Sequence, residues 1–154
     1  MNKITITLLS LLYLSLFSQI VEQEILLKKA EVYNQRQRYE QANEIYITLL
    51  EDYSVDFTIA AKLIFNYLRV SKVEKAESVL FKYQDLFPEI EFSKTQVLVL
   101  LRKGELKKAS DLSGSIIKKN KGNVSLYRDL SSFFEQANQY RKAIDIMLEA
   151  RKIT

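Results

Sequence analysis

Apolar residues recur at helical spacing along most of the chain. Ile45, Leu49 and Tyr53, for example, lie four residues apart, so a helix would place them on one face. Short polar connectors, such as residues 34–38 and 118–123, separate one such segment from the next. The pattern predicts eight helices, near residues 23–36, 39–53, 57–70, 73–86, 90–102, 106–119, 124–136 and 140–152.

The apolar pattern also repeats at a longer period. Four alanines, Ala42, Ala76, Ala109 and Ala143, recur at a nearly constant interval of about 34 residues. A period of this size is typical of a stack of similar helical units, each packed on its neighbours. The alternative is an ordinary helical bundle in which the spacing is accidental.

Large apolar residues keep a fixed distance from each alanine. The positions three residues before the alanines are Tyr39, Val73, Leu106 and Tyr140, and those nine residues before are Tyr33, Tyr67, Leu100 and Phe134. Alanine suits a point where two helices cross closely, because a larger side chain would hold the backbones apart. We therefore expect the four alanines to be buried at the crossings of helical hairpins.

This arrangement resembles the tetratricopeptide repeat (TPR) family, in which each unit of about 34 residues forms two antiparallel helices. The second repeat matches with Tyr67, Ala76, Leu80 and Pro88, whereas the third is weaker, since Ser113 replaces the usual large residue. The resemblance implies an all-α fold, an α-α superhelix built as a TPR-like solenoid of helical hairpins. Its array would cover residues 23–154, with repeats near 23–56, 57–89, 90–122 and 124–154.

The resemblance also implies a binding surface, because the first helix of each TPR hairpin lines a concave groove. The family's ligand-facing positions fall 11, 8 and 7 residues before the key alanine. In the second and third repeats the same apolar-apolar-arginine set occupies them: Phe65, Leu68, Arg69, Leu98, Leu101 and Arg102. We expect these residues to bind a protein or peptide. The alternative is that Leu68 and Leu101 simply pack between helices.

The first residues differ from the repeats. Lys3 is followed by an uncharged, mostly apolar run, and Ser18-Gln19 comes after it. This layout is typical of a secretory signal peptide over residues 1–18. An uncleaved membrane anchor over residues 4–21 is the alternative, since that run approaches the length of a membrane span. Either version predicts an exported protein, in the periplasm or cell envelope of a bacterium.

Composition argues against an enzyme. The chain has no histidine and no cysteine, which removes thiol nucleophiles, histidine bases and disulfides. Three scattered glycines form no phosphate-binding loop, and the carboxylates fall at the spacing of solvated helix faces. We predict no catalytic, cofactor-binding or metal-binding residue and no cofactor.

Charge and the last helix concern the choice of partner. The net charge is +4, and no aromatic residues interleave with the basic segment 102–121, so nucleic acid is not an expected partner.

The last helix carries Ile144, Met147, Leu148 and Ile153 on a face that helical arrays usually cover with a capping helix. Either the native chain is longer, or this face docks on itself or on another protein.

These expectations combine into an exported scaffold that binds a protein or peptide in its concave groove. The alternative is an N-terminal sensory or anchoring TPR module of a larger envelope signalling or secretion-system protein. A more distant alternative is a carbohydrate- or peptidoglycan-active helper protein with catalytic carboxylates.

Overall fold

The computed structural model describes residues 3–53 and 55–152, and within the first helix it describes the side chains of Tyr13 and of residues 17–35. These residues form helices and connecting turns without any strand, which confirms the predicted all-α fold. The helices are α1 Lys3–Gln35, α2 Tyr39–Asp52, α3 Phe57–Arg69, α4 Val73–Lys82, α5 Glu89–Arg102, α6 Leu106–Lys119, α7 Val124–Gln136 and α8 Tyr140–Ala150.

Consecutive helices pair as hairpins, α1 with α2, α3 with α4, α5 with α6, and α7 with α8. The chain divides into two compact units, Met1–Val55 and Asp56–Thr154. The first unit holds the α1–α2 hairpin. In the second unit three hairpins stack, because α5 packs against both α3 and α4, and α7 packs against both α5 and α6.

The hairpins share the same turn. The first helix of each hairpin is followed by a residue with positive φ: Gln37, Ser71, Gly104 or Asn138. One residue later, a backbone N–H donates to a carbonyl five residues back, as from Lys72 to Tyr67 at 2.8 Å and from Gln139 to Phe134 at 2.8 Å. This left-handed termination satisfies carbonyls that the helix end would leave unpaired. The backbone conformation of the turns therefore repeats from hairpin to hairpin, as the side-chain pattern does.

The alanines of the repeat are buried in their hairpins, with Ala42, Ala76 and Ala109 fully inaccessible and Ala143 nearly so. In the second unit a continuous apolar core extends from α5 to α8 and includes Ala109, Ala143 and Phe134. Ser113 is also fully buried, and its hydroxyl donates to the carbonyl of Ala109 at 2.7 Å. A hydrogen bond within α6 thus satisfies the polar residue that stands where the repeat usually has a large apolar one.

Two helices differ from the predicted bounds by more than two residues. Helix α1 begins at Lys3 rather than near residue 23, and its sequence contains no glycine or proline that would end it earlier. Helix α4 ends at Lys82, and a short 3₁₀ turn, Gln84–Leu86, precedes Pro88. Pro88 lacks a backbone N–H, so it disfavours a longer helix at this point.

The segment predicted as a signal peptide, residues 1–18, falls mostly on side chains outside the described part, as does the alternative anchor, residues 4–21. Among the described residues, no helix combines the length and the apolar character that crossing a membrane requires. Export therefore stays a prediction.

Candidate functional site

The candidate site is a surface of the second unit made by the first helix of each hairpin. Helices α3, α5 and α7 lie side by side, because α5 contacts α3 on one side and α7 on the other. We call the exposed surface of these three helices the groove face. Helices α3 and α5 contain the six residues that the sequence predicts as partner-binding.

Three of those six predicted residues are accessible. Phe65 is 40% exposed, although it is a large apolar side chain, and Arg69 and Arg102 are exposed as well. Phe65 and Arg69 are four residues apart on α3, so they share one side of that helix. An apolar ring next to a guanidinium gives this part of the surface both an apolar contact and a strong hydrogen-bond donor.

The other three predicted residues lie in the interior. Leu68, Leu98 and Leu101 are each at most 5% exposed. Leu101 belongs to the apolar core that continues through α6, α7 and α8. These leucines pack between helices. Of the six predicted residues, Phe65, Arg69 and Arg102 are therefore the ones that a ligand could contact. A binding role for the set of six stays a prediction.

A charged cluster on α5 and α7 escaped the sequence analysis. The Lys94 ammonium contacts the Asp129 carboxylate at 2.7 Å and the Glu91 carboxylate at 2.9 Å, and its side chain is mostly buried. Burial disfavours the charged amine, but hydrogen bonds to Asp129 and Glu91 outweigh it and raise the pKa of Lys94. The cluster therefore links α5 to α7 and fixes the spacing of two helices of the groove face. The i,i+3 spacing of Glu91 and Lys94 in the sequence indicates a candidate ion pair within one helix. The contact between Lys94 and Asp129 joins two helices, so it can be recognised only once the fold is known.

A second surface lies on the last hairpin, where α7 and α8 border an open depression of about 750 Å³. Apolar and aromatic side chains form much of its wall, including Val124, Tyr140, Ile144, Met147 and Leu148. All five are exposed. Ile153, the remaining apolar residue that the sequence analysis placed on this face, lies outside the described residues. We call this surface the open end.

Neither surface has the arrangement of a metal centre. Among the residues that the structure describes, no three histidine, cysteine, aspartate or glutamate side chains are grouped so that they could hold a metal ion. The groove face offers instead guanidinium, aromatic and ion-paired groups, which suit recognition of a polypeptide.

Comparison with solved structures supports a TPR-like fold. YrrB, described as a TPR protein with an unusual peptide-binding site, superposes with a TM-score of 0.56 at 14% identity, covering 91% of this chain and 82% of YrrB. MamA MSR-1 superposes with a TM-score of 0.55 at 17% identity, covering 85% of this chain and 76% of MamA. MamA AMB-1 gives 0.54 at 17% identity, with coverages of 86% and 73%. No protein-family model and no curated protein sequence matches the chain.

Proposed function

We propose that this protein is an exported scaffold without enzymatic activity, which binds a protein or peptide on its groove face. The observation that carries the proposal is the exposure of Phe65, Arg69 and Arg102 on first helices of adjacent hairpins. The peptide-binding description of YrrB, which has a similar fold, supports the same class of function. The alternative is that these repeats form the sensory or anchoring part of a larger envelope protein.

The groove face favours a ligand with an apolar side chain beside an acidic or carbonyl group. The apolar part would contact the ring of Phe65, where burial of aromatic surface contributes most to binding. Arg69 and Arg102 would donate to carboxylates or to main-chain carbonyls of the bound segment. The Lys94 cluster would keep α5 and α7 in place, so that the face is largely formed before the ligand arrives.

Selection from a random peptide library displayed on phage tests this proposal. Peptides selected on the wild-type protein should bind the Phe65→Ser and Arg102→Glu variants about tenfold or more weakly, as expected when a hot-spot residue is replaced. Selected sequences should be rich in acidic and apolar residues. Calorimetry with synthetic copies of the selected peptides measures the loss.

Leu106→Ser is the matched control, because Leu106 is also 40% exposed but lies at the start of α6, a second helix of its hairpin. It should bind the peptides as the wild type does. Leu98→Ser gives a separate contrast, since loss of this buried side chain should lower the melting temperature. Equal binding by wild type and Phe65→Ser, or no selected peptides at all, would contradict a ligand on the groove face.

A further inference from the structure

The open end corresponds to a surface that is covered in the two preceding hairpins, where the next hairpin packs on it. In the second unit, the groove between α3 and α4 receives α5, and the groove between α5 and α6 receives α7. The groove between α7 and α8 is the next one in this series, and it is the apolar depression of the open end. A helix of the same kind as α5 or α7 would therefore fit into it.

Residues at equivalent repeat positions can be compared between the inner hairpins and the last hairpin. Leu80 and Ser113 lie four residues after their repeat alanines and are fully buried, whereas Met147 lies four residues after Ala143 and is 46% exposed. Five residues after Ala76, Phe81 meets Phe92 of the next hairpin edge-to-face, with ring centroids 5.9 Å apart. Leu148 has the position of Phe81 in its own repeat. Its exposure, 52%, is close to the 45% of Phe81, so the two positions correspond in register and not by a difference in burial.

The complementary surface is on the first helix of the chain. Ile25 has the same position relative to Ala42 as Phe92 has relative to Ala109, and it is 60% exposed. Val32 corresponds in the same way to Val99. Val99 is buried, whereas Val32 is 42% exposed. Helix α1 thus exposes apolar residues at the repeat positions of α5 that are packed within the stack.

We propose that the open end of one molecule binds α1 of a second copy of this chain, so that molecules join head to tail. The contact continues the stacking between hairpins, with Leu148 against the second copy's Ile25 as Phe81 packs against Phe92. Such a contact uses two different surfaces, so it can add further copies at both ends and form chains of molecules. Neither surface includes residues 1–18, and the proposal does not depend on a ligand at the groove face.

Site-specific crosslinking of the full chain tests this contact, because the natural sequence has no cysteine to give background. Ile25→Cys and Leu148→Cys are made in separate copies that carry tags of different size, and the two are mixed with a short bis-maleimide crosslinker. We expect the mixed dimer to be the main product. A copy with Leu106→Cys, whose side chain is also exposed, replaces each partner in turn as the control for random collision.

Self-association in solution gives the second measurement. Sedimentation velocity should show wild-type oligomers that grow with concentration, and Met147→Glu or Ile25→Glu alone should prevent that growth. A mixture of these two charge variants should stop at a dimer, since one pair of intact surfaces remains. Thermal melting checks that both variants fold.

Several results would overturn head-to-tail binding. Leu148→Cys copies that crosslink with each other as well as with Ile25→Cys copies would indicate a symmetric contact instead. Mixed dimers no more abundant than the Leu106→Cys control would exclude the contact. A wild-type protein that remains monomeric at every concentration would do the same.

Discussion

At the scale of single residues, the sequence predicts burial best where one property is required. Ala76 must be small because two helices cross there, and it is fully buried. Burial is harder to predict for the site residues Leu68 and Leu98, because a repeat position at the border of the groove can face either the ligand or the next helix. Periodicity does not distinguish these two orientations, which differ by a small rotation of the helix. The structure places both leucines inside.

Tyr46 is a buried residue whose titration should be visible in the stability of the protein. Its hydroxyl accepts a hydrogen bond from the Asn34 side-chain amide at 2.8 Å, and its side chain is inaccessible. Burial, with a smaller contribution from the charge of Glu31, raises the pKa of Tyr46 to about 12. The neutral phenol is therefore favoured in the folded state, and the unfolded chain loses this proton first, near pH 10.

We predict that the free energy of unfolding falls between pH 10 and pH 12 through this residue, by about 2–3 kcal/mol for a shift of two pH units. Tyr46→Phe should remove this part of the alkaline loss, whereas Tyr140→Phe, at an exposed position, should not. Urea unfolding of the three proteins at pH 9 and pH 12 measures the difference. Parallel losses in wild type and Tyr46→Phe would show that Tyr46 does not carry the effect.

At the scale of elements, helix boundaries follow the sequence closely where polar connectors separate apolar segments. Helices α6 and α7 have the predicted bounds. The left-handed turns were not foreseen, because only Gly104 and Asn138 among the four positions are residue types commonly found there. Gln37 and Ser71 adopt positive φ because the following helix must reverse direction, so tertiary packing overrides the local preference.

The turn at Ser71 leads to a prediction about stability. Ser71 has a φ of 59°, which costs a residue with a side chain more than it costs glycine. Ser71→Gly should therefore raise the free energy of unfolding by about 0.5–1 kcal/mol. Chemical denaturation measures the change.

The same exchange inside a helix provides the control for this turn. Ser78 is exposed within α4, and Ser78→Gly should lower the free energy of unfolding by about 0.5 kcal/mol, because glycine is a poor helix former. Gly104→Ala should also destabilise, since Gly104 has a φ of 78° although a Cβ there would meet no neighbour. If Ser71→Gly destabilises as Ser78→Gly does, strain at the turn is not significant.

At the scale of the whole molecule, the repeat predicted the hairpins but not the division of the chain into two units. The apolar period is equally regular on both sides of Val55, so it gives no sign of the boundary. The first helix shows a similar limit. Sequence composition separates residues 1–18 from the repeats, yet one helix runs from Lys3 to Gln35, because that stretch contains no residue that breaks a helix.

Export is the last prediction and concerns the whole chain. Lys3, the apolar run after it and Ser18-Gln19 together predict cleavage after Ser18, which would leave a mature protein that begins at Gln19. The remaining part of α1 would still carry Ala30, which is fully buried, so the α1–α2 hairpin should fold without the signal segment. Mass spectrometry of protein recovered from the cell envelope of a bacterial host measures the N-terminus directly. Replacing Leu9 and Leu12 with lysine interrupts the apolar run and should leave an unprocessed chain in the cytoplasm. An intact Met1 in the membrane fraction would indicate the anchor of residues 4–21, and a wild-type chain found only in the cytoplasm would contradict both forms of export.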